Sequence, residues 1–367
     1  MRAGEGEHIV RMKGITKTFP GIVANYRVDF DLLEGEIHAL LGENGAGKTT
    51  LMNILYGFYS PDEGEIYVRG RRVSFRSPAD AIKSGIGMVH QHFSLIPKHT
   101  VKENISLALK RRGTILRLKE IEEEIRKAKE AYGIEVDPNA YIWQLSVGEK
   151  QRVELLKMLL LDVDILILDE PTSVLSPLEV SSLFKVLREM KERGKSVIFI
   201  THKLKEALEI SDRITVLRKG RKVATIPREE ADQRKLAVMM VGEETFELTT
   251  RREVAKSEKP LLVVEDLWVR GDLGLPSVRG VSFDVYGGEI LGIAGVAGNG
   301  QRELAEALGG LRRPERGKVI VNGREPRKHT PRDMLELGLS YIPEDRIEVG
   351  SCPNLSVEEN LILRDYY

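Results

Sequence analysis

The 367-residue sequence has one cysteine, no apolar run near the roughly 20 residues that a membrane helix needs, and no excess of charge of either sign. A lone Cys352 excludes an intramolecular disulfide framework and a multi-cysteine metal site, and it suits a reducing compartment, so the cytoplasm is expected. With no span predicted, any connection to a membrane is expected to run through partners. Lys plus Arg and Asp plus Glu both total 56, which removes a general electrostatic attraction to nucleic acid or anionic lipid and leaves only local basic patches. The N-terminal MRAGEGEHIVRMKG has no apolar core ahead of a small-residue cleavage site, so it does not read as a secretion signal.

What is present is a repeat. The length suits two or three domains, and GEIHALLGENGAGKTTLMNILYG from Gly35 aligns with GEILGIAGVAGNGQRELAEALGG from Gly288 at an offset of 253. Gly64 and Gly317, Gly70 and Gly323, and Gly85 and Gly338 keep that difference, while Asn104 of VKENISL and Asn360 of VEENLIL are 256 apart. The expected organisation is a first domain over residues 1–244, a polar linker at 245–260, and the N-terminal part of a second domain at 261–367. The second copy stops before the counterpart of position 115, so a fragment or a truncated gene product is expected.

Strands and helices alternate, as in an α/β fold. Val28, Phe30 and Leu32 alternate with charged residues as in a half-buried strand, and EIHALLG runs into a glycine loop. A helix should follow, with Leu51, Ile54 and Leu55 on one face and Gly57 as its stop. DILILDE and SVIFITH read as strands buried on both faces of a parallel sheet, with a helix over PLEVSSLFKVLREMKERG between them. Residues from about 93 to 146, including the charged EEEIRKAKE, read as a helical insertion into this core.

Gly42, Asn44, Gly45, Gly47, Lys48, Thr49 and Thr50 belong to GENGAGKTT, which matches G-x-x-x-x-G-K-[ST] between a predicted strand and helix. The glycines let backbone N–H groups turn inward around phosphate oxygens at a helix start, Lys48 supplies a point charge, and the Thr49 hydroxyl suits Mg²⁺. A chance glycine turn before a helix is the plain alternative, and the complete spacing argues against it. Asp169 ends an apolar strand where its carboxylate can hold the metal, and Glu170 beside it can polarise a water. Ser146, Gly148 and Glu149 open a helix, and Ser-x-x-Glu there is also an ordinary capping box. His202 follows the strand VIFIT, which by itself is a weak signal. His90 and His92 flank Gln91, but no third ligand is evident for a metal.

In this order the residues resemble the ATP-binding cassette family, a P-loop NTPase core with a helical subdomain, here tandemly duplicated with the second copy incomplete. The resemblance implies ATP and Mg²⁺ as cofactors. Phe19 matches the aromatic that stacks on adenine, Gln91 the Q-loop glutamine and metal ligand, and Ser146 to Glu149 the signature. Asp169 matches the Walker B aspartate, Glu170 the catalytic glutamate and His202 the switch histidine. Two departures stand out: the signature reads Leu-Ser-Val-Gly-Glu, and Ser176 replaces the usual aspartate of the following loop. Tandem cassettes with FPG, LLGENGAGKTT and a divergent second loop look like the ATPase subunits of sugar and nucleoside importers, the nucleoside type more closely. Membrane permease subunits, a solute-binding protein and a second cassette are the implied partners, at the cytoplasmic face of the membrane.

At the 253 offset Gly295, Gly298 and Gly300 survive, but Lys48 corresponds to Gln301, Thr49 to Arg302 and Gln91 to Glu344. Losing one charge-assisted hydrogen bond predicts roughly 10- to 150-fold weaker nucleotide affinity, which leaves binding at millimolar ATP and no hydrolysis. Asp272 takes the offset position of Phe19. The family's head-to-tail pairing would oppose the first loop to a signature beyond Tyr367, so weak hydrolysis by this chain alone is expected. Tandem cassettes acting on ribosomes or nucleic acid carry a long basic linker and two intact loops, and this sequence has neither, so no nucleic-acid partner is expected. A non-hydrolysing regulatory fragment is the remaining alternative.

Overall fold

The computed structural model describes residues 7–91, 93–109, 118–173, 175–242, 257–272, 274–295, 298–344 and 349–363. His92 and most of the expected linker therefore lie outside the described residues, as does part of the helical insertion. The chain divides into two compact units, Met1–Thr249 and Thr250–Tyr367.

The first unit opens with a long hairpin, β1 (His8–Phe19) and β2 (Ile22–Leu33), in which Val28, Phe30 and Leu32 are buried as their alternation predicts. The apolar β3 (Ile37–Leu41) is wholly buried and leads through the glycine loop into α1 (Lys48–Leu55), whose Leu51, Met52, Ile54 and Leu55 face inward. Then come β4 (Glu63–Val68), β5 (Arg71–Val73), α2 (Pro78–Lys83) and β6 (Ile86–Val89). The helical insertion supplies α3 (Val101–Leu109) and α4 (Leu118–Tyr132), and α5 (Val147–Leu160) follows it. After β7 (Ile165–Asp169) the chain runs through α6 (Pro177–Glu192), β8 (Ser196–Thr201), α7 (Leu204–Ile210), β9 (Arg213–Arg218), β10 (Arg221–Pro227) and α8 (Gln233–Val241).

Six strands form the central sheet in the order β10-β9-β3-β8-β7-β6, parallel except for the β9–β10 hairpin, and β2-β1-β4-β5 form a second, antiparallel sheet. Alternate residues of one strand feed different cores. Ile165 and Ile167 of β7, with Ile198 and Ile200 of β8, pack on α1 and the antiparallel sheet. Leu166, Leu168, Val197 and Phe199 pack on the helices of the opposite face, where Phe199 meets Phe184 at 5.7 Å. Burial on both faces is why these strands read as unbroken apolar runs.

The second unit holds β11 (Pro260–Arg270), β12 (Pro276–Tyr286), α9 (Gln301–Leu308), β13 (Arg316–Val321), α10 (Pro331–Glu336) and α11 (Val357–Ile362). Its sheet, β12-β11-β13, repeats β2-β1-β4 of the first unit. The likeness extends to single bonds. Asn104 accepts from Ile96 N at 2.7 Å and donates to Ile96 O at 3.2 Å; Asn360 makes the same pair with Cys352 at 2.8 and 3.0 Å. One region differs. Residues 290–294, the counterparts of β3, form no strand, and Ile290 is 99% exposed. In the first unit β3 is held by β8 and β9 on either side, and the described residues of the second unit include no counterpart of either.

Candidate functional site

The first glycine loop takes its shape from residues that an L side chain would break. Gly45 and Gly47 have φ of 79° and 94°, and a Cβ on Gly47 would run into the Ala24 carbonyl and the Asn25 amide. Asn25 Nδ2 in turn donates to Gly47 O at 3.1 Å, so the β1–β2 hairpin clamps the loop from behind. No side chain caps α1, which leaves its first N–H groups facing the cleft for an anion. Lys48 is buried, and its Nζ donates to Gly42 O at 2.8 Å and Glu43 O at 2.9 Å. Burial pulls its pKa down, opposed by the carboxylates of Glu170 and Asp169, and Glu170 Oε1 lies 3.8 Å away.

The strand ends bring the acids to this lysine. Asp169 is buried, and its Oδ1 accepts from Thr49 Oγ1 at 3.2 Å across 120 residues of sequence. Burial raises its pKa, the state of a carboxylate that lacks a full cationic partner. Glu170 stands at φ +47°, a left-handed conformation uncommon outside glycine, and its N–H donates to Ile200 O at 3.1 Å. His202 Nδ1 lies 3.1 Å from Glu170 Oε1. The Thr49 hydroxyl, open to the cleft, and the buried, under-compensated Asp169 carboxylate beside it are hard oxygen donors that fit Mg²⁺. Among the described residues no group of three or more His, Cys, Asp or Glu side chains forms a metal cage. His90 packs instead against Tyr56 and Phe58 at 5.7 and 6.1 Å.

An open cleft of about 590 Å³ joins these groups, lined by Phe19, Asn44, Gly45, Gly47, Lys48, Thr49, Thr50, Gln91 and Glu170. Phe19 forms an aromatic wall at one side and is backed edge-on by Tyr59 at 5.3 Å. Sequence reasoning missed Ile22, Val23, Ala24, Lys219 and Gly220, which line the same cleft. Gly220 in the β9–β10 turn donates to Ala46 O at 3.2 Å, and its missing Cβ clears the Ala24 carbonyl. A Lys-Gly pair between two apolar strands signals a turn, but nothing local says which loop that turn will brace.

Ser146, Gly148 and Glu149 do not line the cleft. They open α5, where Ser146 N donates to Glu149 Oε2 at 2.8 Å and Ser146 Oγ accepts from Glu149 N at 3.3 Å, a capping box. A Cβ on Gly148 would strike Glu179, which itself caps α6 through Ser176.

In the second unit Gly298 and Gly300 have φ of 87° and 94°, nearly the values of Gly45 and Gly47. The Gln301 amide lies against Gly295, as the Lys48 ammonium lies against Gly42. Strand pairing refines the register. Val264 pairs Phe283 and Val319, as Met12 pairs Phe30 and Ile66, so β11 is offset by 252 rather than 253. The residue opposite Phe19 is therefore Gly271, with Asp272 next to it in a turn one residue longer. Neither is aromatic.

A family model described as ABC transporter matches residues 26–173 and 278–366. The chain is 44% identical to the glucose import ATP-binding protein TsgD13 of Haloferax volcanii, covering 98% of this chain and 70% of that protein. It is 46% identical to the guanosine import ATP-binding protein NupO of Bacillus subtilis, over 98% of this chain and 71% of the relative. Among solved structures, the ADP conformation of MJ1267, an ATP-binding cassette of an ABC transporter, matches with a TM-score of 0.57 at 25% identity. It covers 64% of this chain and 99% of that one.

Proposed function

The chain belongs to the ABC transporter family of ATPases, and on that premise we propose that its first unit binds and hydrolyses ATP to energise import of a simple sugar or nucleoside. The observation that carries this is the convergence of four separate segments: Lys48, Thr49, Gln91 and Glu170 line one cleft, and Asp169 and His202 are bonded to Thr49 and Glu170. The relatives' names, glucose and guanosine import among them, support the substrate class. The motifs LSVGEKQRVELLKML and GIAGVAGNGQ favour the nucleoside type.

The residues divide the work by chemistry. Lys48 exchanges two carbonyl partners for phosphate oxygens, and the α1 amides take the remaining negative charge. Phe19, backed by Tyr59, offers the base an aromatic wall. Thr49, Asp169 and Gln91 would hold a magnesium ion, which when bound neutralises charge on the transferring phosphate. Glu170 accepts the proton of the attacking water, and His202 orients its carboxylate from 3.1 Å. Ser146, Gly148 and Glu149 serve the loop of a paired cassette. The partners are membrane permease subunits and a solute-binding protein, which place the chain at the cytoplasmic face. No helix among the described residues is long and apolar enough to cross a membrane itself.

The test is co-expression with neighbouring permease genes. Co-purification and nucleoside-stimulated ATPase activity in reconstituted vesicles are expected. Co-sedimentation with ribosomes and none with a permease would overturn the proposal.

A further inference from the structure

The two units differ at several positions around the phosphate loop, and the backbone shows that the positions correspond. Phe58 N and Tyr59 N bond to Asn53 O at 2.8 and 3.3 Å, and Leu311 N and Arg312 N bond to Glu306 O at 2.9 and 3.2 Å. Arg312 therefore stands where Tyr59 does, and Glu306 where Asn53 does. Arg302, the second residue of α9, stands where Thr49 is the second residue of α1. The Gly271–Asp272 turn replaces Phe19.

These replacements are joined to one another. The Asp272 carboxylate pairs with Arg302 through Oδ2 and with Arg312 Nη2 through Oδ1 at 2.7 Å. Arg312 is anchored in turn by Glu306 at 2.8 Å and by Arg270 O at 3.0 Å, while Arg302 approaches Glu306 at 3.6 Å and Glu303 at 3.8 Å. The bonds from Arg312 and then Arg302 hold the Asp272 carboxyl below the usual range, so it stays ionised. Three carboxylates face two guanidiniums, a net charge of −1 at the start of α9, which follows Gly298 and Gly300 with φ close to those of Gly45 and Gly47.

Deepening the functional reading above, we infer that Asp272 is a tethered anion that occupies the guanidinium pair of the second loop and keeps nucleotide phosphate out. A free phosphate must displace a carboxylate held on the same surface at an effective concentration in the millimolar range. Arg302 presents a cation where Thr49 presents an oxygen, so what the unblocked loop takes is a metal-free polyphosphate. With Gly271 and Asp272 in place of Phe19 and Arg312 in place of Tyr59, the base adds nothing. Asp272 is 64% exposed and its pairs contribute little to folding, so it can be changed without unfolding the unit.

The experiment is calorimetric titration of the full chain with inorganic triphosphate and with ATP, in EDTA, on a Lys48→Ala background that weakens the first loop and whose residual binding is the baseline. With Asp272 intact, neither ligand is expected to bind beyond that baseline. Adding Asp272→Asn, or Asp272→Ala as an independent second variant, should bring in binding of both ligands with equal affinity, at least tenfold tighter. Adding Arg302→Ala to either should remove that gain. Second-loop binding that is already present with Asp272 in place, or no gain on its removal, would overturn the inference. The functional reading is judged separately, by Mg²⁺-dependent ATP binding with Lys48 present, and its failure would leave the triphosphate result standing.

Discussion

Replacing Lys48 with alanine isolates the largest single electrostatic element of the first loop. In the nucleotide-free fold the ammonium satisfies the carbonyls of Gly42 and Glu43 at 2.8 and 2.9 Å and lies 3.8 Å from Glu170. Burial already works against the charged form, so the lysine is held there at a cost to the fold, and deleting it should leave the melting temperature within a few degrees. Binding is another matter. A charge-assisted hydrogen bond to a phosphate oxygen is worth about 1.5–3 kcal/mol, which converts to a dissociation constant roughly 10- to 150-fold higher. The loss has a second origin, since Glu170 and Asp169 would then face the incoming phosphate with no cation between them. Titration with a fluorescent ATP analogue in EDTA reads affinity free of turnover. Lys48→Gln, which copies Gln301 into the first loop, should fall in the same range. An affinity within twofold of the parent, in a variant that melts normally, would refute the placement of the phosphate at this lysine.

Two further outcomes follow from the same geometry. Glu170→Gln keeps the shape of the side chain but cannot accept a proton, so single-turnover hydrolysis in the complete transporter should fall about 100-fold or more while bound ATP is retained; undiminished turnover removes Glu170 from its role. Asp62 bonds Lys17 Nζ at 2.8 Å and Thr18 N and Oγ1 at 2.7 Å, beside Phe19, and these bonds lower its pKa from 3.8 to about 2. Because the folded value lies below the unfolded one, its stabilising effect is complete above pH 3.8 and is lost as the pH falls through about 2. Urea unfolding of the parent and Asp62→Asn should thus differ at pH 5 and converge near pH 2, and a constant difference across that range would contradict the assignment.

How much of this was legible beforehand depends on how local each feature is. GENGAGKTT is contiguous, and the conformations it needs, φ of 79° at Gly45 and 94° at Gly47 ahead of a helix, follow from glycine's own freedom. The capping box at Ser146 is likewise a device of four consecutive residues, and it forms. The buried strands announced themselves because β3, β7 and β8 have no polar face to show. The repeat was visible because glycines at turns of positive φ tolerate few substitutes, so Gly64 and Gly317 survive at φ of 105° and 95° with the same carbonyls crowding them.

The sequence by itself therefore determined the elements, the duplication and the first loop's chemistry, since each rests on contacts within a few residues along the chain. Only tertiary structure decided that Thr49 meets Asp169, that Asn25 and Gly220 brace the first loop, and that Lys219 reaches its cleft. It also decided that residues 290–294 form no strand despite an apolar sequence that matches β3, because a strand exists only where neighbours supply its hydrogen bonds. The one-residue slip of β11 belongs to the same class: pairing partners set it, and it is what turns Asp272 from a counterpart of Phe19 into the carboxylate that bridges Arg302 and Arg312.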